Sequence, residues 1–337
     1  MGKIALGENI TGTFNKSTGA VEFYSKGGTL QMDWANRMGI DRQKITSIRV
    51  AEGTVFLPED ADEIFSCCRN LIAFDARGFD TSRTHDMQCL FTWCNNIEKL
   101  DLSNFDTSHV KNMQHMFNGC TQLKVVNLSS FDTSNVTNMN SMFANCGYLT
   151  SLDLSNFDTS SVKTMYMLFS ECSNLTNLDL RSFDTSQVTN MSSMFRYCRD
   201  LVNPDLSSFD TSHVTDMSYM FYGCSGLTNV DLSRFDTSNV VNMEGMFLSC
   251  IELTDLDLSN FDTQNTVYMS KMFKTCCKLT RLNLGSFDTS NVMDVSEMFA
   301  KCANLRQVIT SPVINCNANT RDMFKECSAN ILLSSTD

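Results

Sequence analysis

One string recurs through this chain at a constant interval: Leu-Asp-Leu-Ser-x-Phe-Asp-Thr-Ser-x-Val-x-x-Met-x-x-Met-Phe-x-x-Cys. Its Phe-Asp-Thr-Ser begins at Phe79, Phe105, Phe131, Phe157, Phe183, Phe209, Phe235 and Phe287, and at Phe261 it reads Phe-Asp-Thr-Gln. The interval is 26 residues, with no insertion across nine copies. A fixed period of this size marks stacked units, each too small to bury its own apolar face. The chain is therefore expected to be a solenoid, although a length of 337 residues would ordinarily suggest two or three domains.

A single coil shows the local logic. Leu100-Asp101-Leu102-Ser103 alternates apolar and polar residues, the period of a strand with one buried face. Val110, Met113, Met116, Phe117, Cys120 and Leu123 follow at spacings of three, three, one, three and three, which predicts a short amphipathic helix. The fold class expected is an α/β solenoid with one short parallel strand and one short helical segment per repeat. Asp106-Thr107-Ser108 stands where short oxygen-bearing side chains accept hydrogen bonds from unpaired backbone N–H groups. Stacked about 5 Å apart, the repeated carboxylates would repel by nearly 1 kcal/mol per neighbour even at water's dielectric. Backbone capping is the expected offset, ahead of bound cations, because no coil offers the oxygen cluster that calcium needs.

The ends depart from the repeat. Residues 1–47 carry short strand-like stretches at Thr13-Phe14, 20–24 and 29–32 between glycine-rich turns, and are expected to form a β-rich N-terminal cap. Residues 48–327 form a single solenoid of about eleven coils, nine regular and two degenerate. The first degenerate coil holds Ile48, Val50, Ile64, Phe65, Cys68 and Leu71. The last holds Val308, Val313, Met323, Phe324 and Cys327, with Pro312 marking its irregularity. Residues 328–337 make a C-terminal tail.

Fifteen cysteines suggest a disulfide scaffold until they are placed on the repeat. Cys68, Cys94, Cys120, Cys146, Cys172, Cys198, Cys224, Cys250, Cys276 and Cys302 share one register, and Cys327 continues it after a one-residue slip. Such a row is a packing position. If it lies on stacked helical turns roughly 8–10 Å apart, its members are too distant for bridges, which need Cα atoms within about 7 Å. Cys67, Cys89, Cys277 and Cys316 are off-register and are candidates for exposed thiols. No CxxC pair has metal spacing, so no metal site is expected.

Lys and Arg number 26 against 38 Asp and Glu, a net charge of −12. That balance excludes a nucleic-acid partner or an anionic membrane surface, both of which need a basic patch. No stretch approaches the roughly 20 apolar residues of a membrane span, and the N-terminus has no apolar run of signal-peptide length.

The repeated string resembles that of the bacterial BspA-like leucine-rich-repeat surface proteins, over roughly residues 48–327. The resemblance implies a right-handed, leucine-rich-repeat-like coil displayed on a microbial cell surface or secreted. It also implies adhesion to a host or microbial surface or matrix protein, or to a glycan. It supplies no catalytic residues and no cofactor.

The residues themselves point the same way on catalysis. The four histidines, His85, His109, His115 and His213, pair with no nucleophile or metal motif, and no glycine-rich phosphate loop occurs. His109 and His213 share a register but stand four coils apart, about 20 Å at strand spacing. Carboxylate pairs such as Asp101 and Asp106 recur in every coil, as scaffold does. The chain is expected not to be an enzyme.

A binding site must then lie where coils differ. The exposed strand face (Lys99, Val125, Ser151, Asn177, Asn203, Asn229, Asp255, Arg281) reads as solvated surface. On the helical face, Tyr148, Tyr166, Arg196, Tyr197, Arg199, Tyr219, Tyr222 and Tyr268 replace small or polar residues of other coils. Tyrosine and arginine are enriched at interface hot spots. The candidate partner site is Tyr166, Arg196, Tyr197, Arg199, Tyr219 and Tyr222, beside the strand-breaking Pro204. Tyrosines that merely cover the core between coils are the competing reading of the same residues. The Thr row from Thr81 to Thr289 raises a flat ice-binding array as a further alternative. A structural spacer or self-associating layer is another. Capped ends favour a monomer.

Overall fold

The computed structural model describes residues 2–310 and 317–327, with the backbone of Leu332–Ser335. Pro312, Val313, Cys316 and most of the tail lie outside the described residues. The chain forms two compact units, Met1–Ser161 and Val162–Asp337.

In the first unit, β1 (Ile4–Gly7), β2 (Ile10–Asn15) and β3 (Ala20–Ser25) form an antiparallel meander. β3 then pairs in parallel with β5 (Ser47–Glu52), and β5 with β7 (Ala73–Asp75). β4 (Gly28–Thr29), β6 (Val55–Phe56) and β8 (Phe79–Asp80) make a second parallel sheet. Residues 4–29 are thus rich in strand, and β3 and β4 pair with the following strands β5 and β6 as two sides of a coil would. A short helix α1 (Trp34–Arg37) supplies cover for the third. Trp34 is fully buried and its Nε1 donates to the Ile64 carbonyl at 2.8 Å. Arg42 Nη1 donates to the carbonyls of Glu63 and Ser66 at 2.7 and 2.8 Å. Two carbonyls that a preceding coil would have used, those of Ile64 and Ser66, are therefore occupied. Parallel strands β9 (Lys99–Asp101) and β10 (Val125–Asn127) follow, and then β11 (Ser151–Leu152).

In the second unit, β12 (Asn177–Leu178) is followed by coils with no strand at 203–205, 229–231 or 255–257. Pro204 has no N–H to give a ladder at the first of these. Strands resume at β13 (Arg281–Leu284) and β14 (Gln307–Thr310), with β15 (Leu332–Ser335) parallel to β14.

The expected helical segment is absent from every described coil; α1, of four residues, is the one α-helix among the described residues. Residues 191–198 show what replaces it. The N–H groups of Met191, Ser193, Phe195 and Tyr197 donate to Asp216, Ser218, Met220 and Tyr222 carbonyls in the next coil, at 2.6–3.0 Å. Those of Met194, Arg196 and Cys198 donate three residues back, to Met191, Ser193 and Phe195. Ser193 and Tyr197 have left-handed φ of 57° and 56°, so every fourth residue reverses the turn and keeps the chain flat. An α-helix would spend its N–H groups internally. Here half of them join coils, and the same four-bond pattern repeats between later coils of the unit.

The predicted core is nevertheless the observed one. Leu100, Leu102, Phe105, Val110, Met113, Met116, Phe117, Cys120 and Leu123 are each 2% exposed or less. The phenylalanines stack: Phe195 lies 5.6 Å from Phe221, and Phe221 5.6 Å from Phe247.

Ladder bonding also corrects the spacing assumed for the cysteine row, because ladder-bonded coils lie about 4.8 Å apart rather than at helix distance. What occupies the thiols is hydrogen bonding. Cys120 Sγ donates to Phe91 O at 3.3 Å, and Cys224 Sγ to Phe195 O at 3.0 Å. Burial pushes the Cys120 thiol up to about 12. All fourteen described cysteines are free. Of the off-register ones Cys67 is exposed, while Cys89 and Cys277 are half-buried.

The polar motif turns corners. Asp106 Oδ1 accepts from Ser108 N at 3.0 Å and from Ser108 Oγ at 2.6 Å. Asp101 and Asn112 accept in the same way from the N–H of Ser103 and Gln114, both at 3.1 Å. Backbone capping therefore offsets the carboxylate row, at a turn and not at a helix start. Thr107 Oγ1 donates to Asp132 O and accepts from Asp132 N, both at 2.9 Å. Eight of the nine Thr-row residues are buried, which overturns the flat ice-binding array.

These caps set an acid limit. Hydrogen bonds from the serine two residues on, side chain first and then backbone, hold Asp106, Asp158 and Asp205 below the usual carboxylate range. Asp179, bonded by Arg181, lies at about 2. A folded pKa below the unfolded one contributes stability that is complete above the unfolded value and lost as pH falls through the folded one. Thermal melts should show a Tm level near neutrality that declines below about pH 4. A Tm unchanged down to about pH 2 would contradict this role for the row.

Candidate functional site

The second unit carries an open groove of about 470 Å³ on its turn-ladder side, lined by Tyr166, Met167, Ser193, Arg196, Tyr219, Tyr222, Leu248 and Lys271. Register explains its shape. Met167, Ser193, Tyr219, Gly245 and Lys271 are successive members of one left-handed row, each 26 residues after the last. Ser193 and Gly245, on either side of Tyr219, offer little or no side chain, so the surface sinks there. Arg196, Tyr222 and Leu248 form the neighbouring row.

Aromatic side chains in left-handed positions need glycine in the following coil. A Cβ on Gly223 would stand 2.2 Å from Tyr197 Cδ1, and one on Gly245 2.5 Å from Tyr219 Cε1. Trp93 rests on Gly119 in the same way in the first unit, where the corresponding distance is 2.5 Å.

The six candidate residues fall into one cluster. Tyr166, Arg196, Tyr219 and Tyr222 line the groove. Tyr197 lies against Tyr222, with ring centroids 4.6 Å apart and hydroxyls hydrogen-bonded to each other. Tyr219 and Tyr222 are 5.8 Å apart. The Arg196 guanidinium stands 4.9 Å from the Tyr197 ring and 5.5 Å from the Tyr222 ring, while Arg199 stands 5.7 Å from Tyr197. Each such cation–ring pair contributes about 0.5–1 kcal/mol where exposed. Tyr148 belongs to the first unit, and Tyr268 is not among the lining residues.

Charge is arranged across coils. Arg196 Nη1 lies 3.6 Å from Glu171 Oε1, and Lys271 Nζ 3.0 Å from Glu244 Oε1. Burial, then a hydrogen bond with Glu244, pushes the Tyr219 hydroxyl up. Tyr222 is raised by its hydrogen bond with Tyr197 and then by burial. Burial works upward on Glu244, but bonds from Tyr219 and Lys271 outweigh it and hold the carboxyl below its ordinary value. The tyrosine hydroxyls at the centre of the cluster are thus engaged within the protein, and ring faces and cations are what the groove presents. Met167, Leu248 and Lys271 were not legible as site residues from their types. Counting registers from Tyr219 and Tyr222 would have found them.

Elsewhere, Asp106, Ser108 and His109 meet, with Ser108 Oγ 3.1 Å from His109 Nδ1. The carboxylate bonds the hydroxyl rather than the imidazole, so it cannot orient a histidine base as a catalytic triad requires. Ser212 and His213 repeat the serine–histidine contact at 3.3 Å, as corner geometry would. Asp62, Glu63 and Cys89 each bring one potential ligand atom within 4.8 Å of the others. Burial raises both Asp62 and Cys89 above their ordinary values. Three groups fall short of the four that a structural zinc site takes. Among the described residues, no helix is long and apolar enough to cross a membrane.

A family model described as "Mycoplasma protein of unknown function, DUF285" matches residues 59–152, 124–231, 146–255 and 225–334. No curated protein matches the chain. Among solved structures, it is similar to a leucine-rich-repeat protein of T. pallidum, with 17% identity and a TM-score of 0.34 over 75% of this chain and 92% of that one. It is also similar to a leucine-rich cell surface protein of Faecalibacterium prausnitzii A2-165, with 12% identity and a TM-score of 0.32 over 100% and 96%. A leucine-rich-repeat protein of Eubacterium ventriosum gives 15% identity and a TM-score of 0.30 over 97% and 95%.

Proposed function

The chain belongs to the DUF285 family of Mycoplasma proteins of unknown function, and from that premise we propose that it is a non-catalytic binding module of a microbial cell-surface protein. It recognises a protein or glycan partner through the groove around Tyr219, in the manner of the BspA-like adhesins whose repeat it resembles. One observation carries this reading. Four of the six aromatic and cationic departures from the repeat, Tyr166, Arg196, Tyr219 and Tyr222, line a single depression together with Lys271, and Tyr197 packs behind Tyr222. Contacts between successive coils account for the Tyr197–Tyr222 pair, but not for the open depression that Tyr166, Tyr219 and Lys271 line beside it. A monomer is the state this reading takes, supported by Trp34 and Arg42 occupying the Ile64 and Ser66 carbonyls that a copy stacked on the first coil would need.

The experiment is a panel of immobilised matrix proteins, cell-surface proteins and glycans probed with the native chain and with Tyr197→Ala combined with Tyr222→Ala. Loss of both anchors is expected to cost about 2 kcal/mol, roughly thirtyfold in affinity, for whichever partner binds. Unchanged binding by the double variant would place the partner site elsewhere.

A further inference from the structure

We propose that the groove takes an extended acidic polypeptide segment, running along the stack of coils with two carboxylates about four residues apart. This rests on the binding-module reading. The charged residues lining the groove are Arg196 and Lys271, both cations, in a chain of net charge −12. Each has a carboxylate partner, but a guanidinium has five donors and an ammonium three, so neither is used up by a single partly exposed pair.

Length sets the register of the ligand. From Met167 to Lys271 the groove crosses four coil steps, about 19 Å at parallel-ladder spacing. The backbones of Arg196 and Lys271 lie three steps apart, about 14 Å, and four residues of extended chain span about 13 Å. Acidic side chains at i and i+4 would meet both cations, with the side chains between them lying on Tyr219, Tyr222 and Leu248.

The chemistry favours a peptide over an acidic glycan. A sugar chain needs a dense set of polar donors and acceptors, but the hydroxyls of Tyr197 and Tyr222 bond each other and Tyr219 bonds Glu244. Exposed ring faces and an aliphatic Leu248 match apolar peptide side chains. Arginine and tyrosine are also the types enriched where proteins meet proteins.

The test is fluorescence polarisation with three labelled ten-residue peptides of the same Val, Leu and Tyr content. They carry two glutamates four apart, two adjacent glutamates, or two lysines four apart, and an oligogalacturonate hexamer serves as competitor. The four-apart glutamate peptide should bind at least tenfold more tightly than the other two. Arg196→Gln and Lys271→Gln should each weaken it about tenfold, Lys271→Arg should preserve it, and added salt should weaken it further. Circular dichroism melts confirm that each variant is folded. Binding indifferent to spacing or sign, competition by the oligogalacturonate, or no peptide binding at all would overturn the proposal. If the Tyr197 and Tyr222 double variant still loses its surface partner in that case, the binding-module reading survives and only the ligand class fails. If the double variant loses nothing, both fail.

Discussion

Phe221→Ala is expected to lower the unfolding free energy by about 3–5 kcal/mol, the largest effect of any single truncation considered. The ring is fully buried and stacked nearly flat between Phe195 and Phe247, at interplanar angles of 9° and 8°. Both its backbone polar groups bond the next coil, its N–H on Met246 O at 2.9 Å and its carbonyl accepting from Cys250 Sγ at 3.1 Å. The surroundings cannot collapse into the cavity without breaking the ladder. Stability in a solenoid is carried by neighbour interfaces, so one such cavity weakens two of them. Phe324→Ala is the control. That side chain is half-buried and stacks at 5.2 Å on Phe299. It should cost less than half as much in urea unfolding. Equal costs, or a loss below about 1 kcal/mol at Phe221, would show that the stack does not hold the coils together.

Gly223→Val should cost about 1.5–3.5 kcal/mol, from two separable sources. The residue has φ of 73°, where a side chain adds roughly 1–2 kcal/mol of strain and a β-branched one the upper end. The new side chain also displaces Tyr197 from its pairing with Tyr222, worth about 0.5–1.5 kcal/mol for an aromatic pair. A double-mutant cycle separates them. Against a Tyr197→Ala background only the strain should remain, so Gly223→Val should then cost about 1–2 kcal/mol. The same cost in both backgrounds would mean that the ring does not rest on the glycine. The single variant should also lose partner binding, since the glycine holds up the groove without touching a ligand.

Much of this architecture was legible because the core is written in repeated apolar identities. Met194, Phe195 and Cys198 point inward whichever backbone carries them. The backbone itself was not legible from that spacing, since intervals of three, three, one and three suit a helix and a ladder of three-residue turns equally well. The discriminating signal lay in Gly119, Gly223 and Gly245, which stand where a helix interior would disfavour glycine but a left-handed φ welcomes it. Asp106 had the same double meaning, because an oxygen that caps a helix also closes a corner. At the site, Tyr166, Arg196, Tyr197, Arg199, Tyr219 and Tyr222 stood out as departures from their registers. Lys271 did not, because it meets the groove only through the row it shares with Tyr219 and Gly245. Its partner Glu244 lies diagonally across coils, and that adjacency exists only once the turn geometry is known.

Covalent labelling of tyrosine rings, read residue by residue by mass spectrometry with and without bound partner, tests the groove most directly. Tyr166, Tyr148 and Tyr268 are 40%, 49% and 47% exposed and should label at similar rates in the free protein. With partner bound, Tyr166 should be protected together with the half-buried Tyr219 and Tyr222, while Tyr148 and Tyr268 stay reactive. Protection of Tyr148 or Tyr268 with Tyr166, Tyr219 and Tyr222 unchanged would contradict the account.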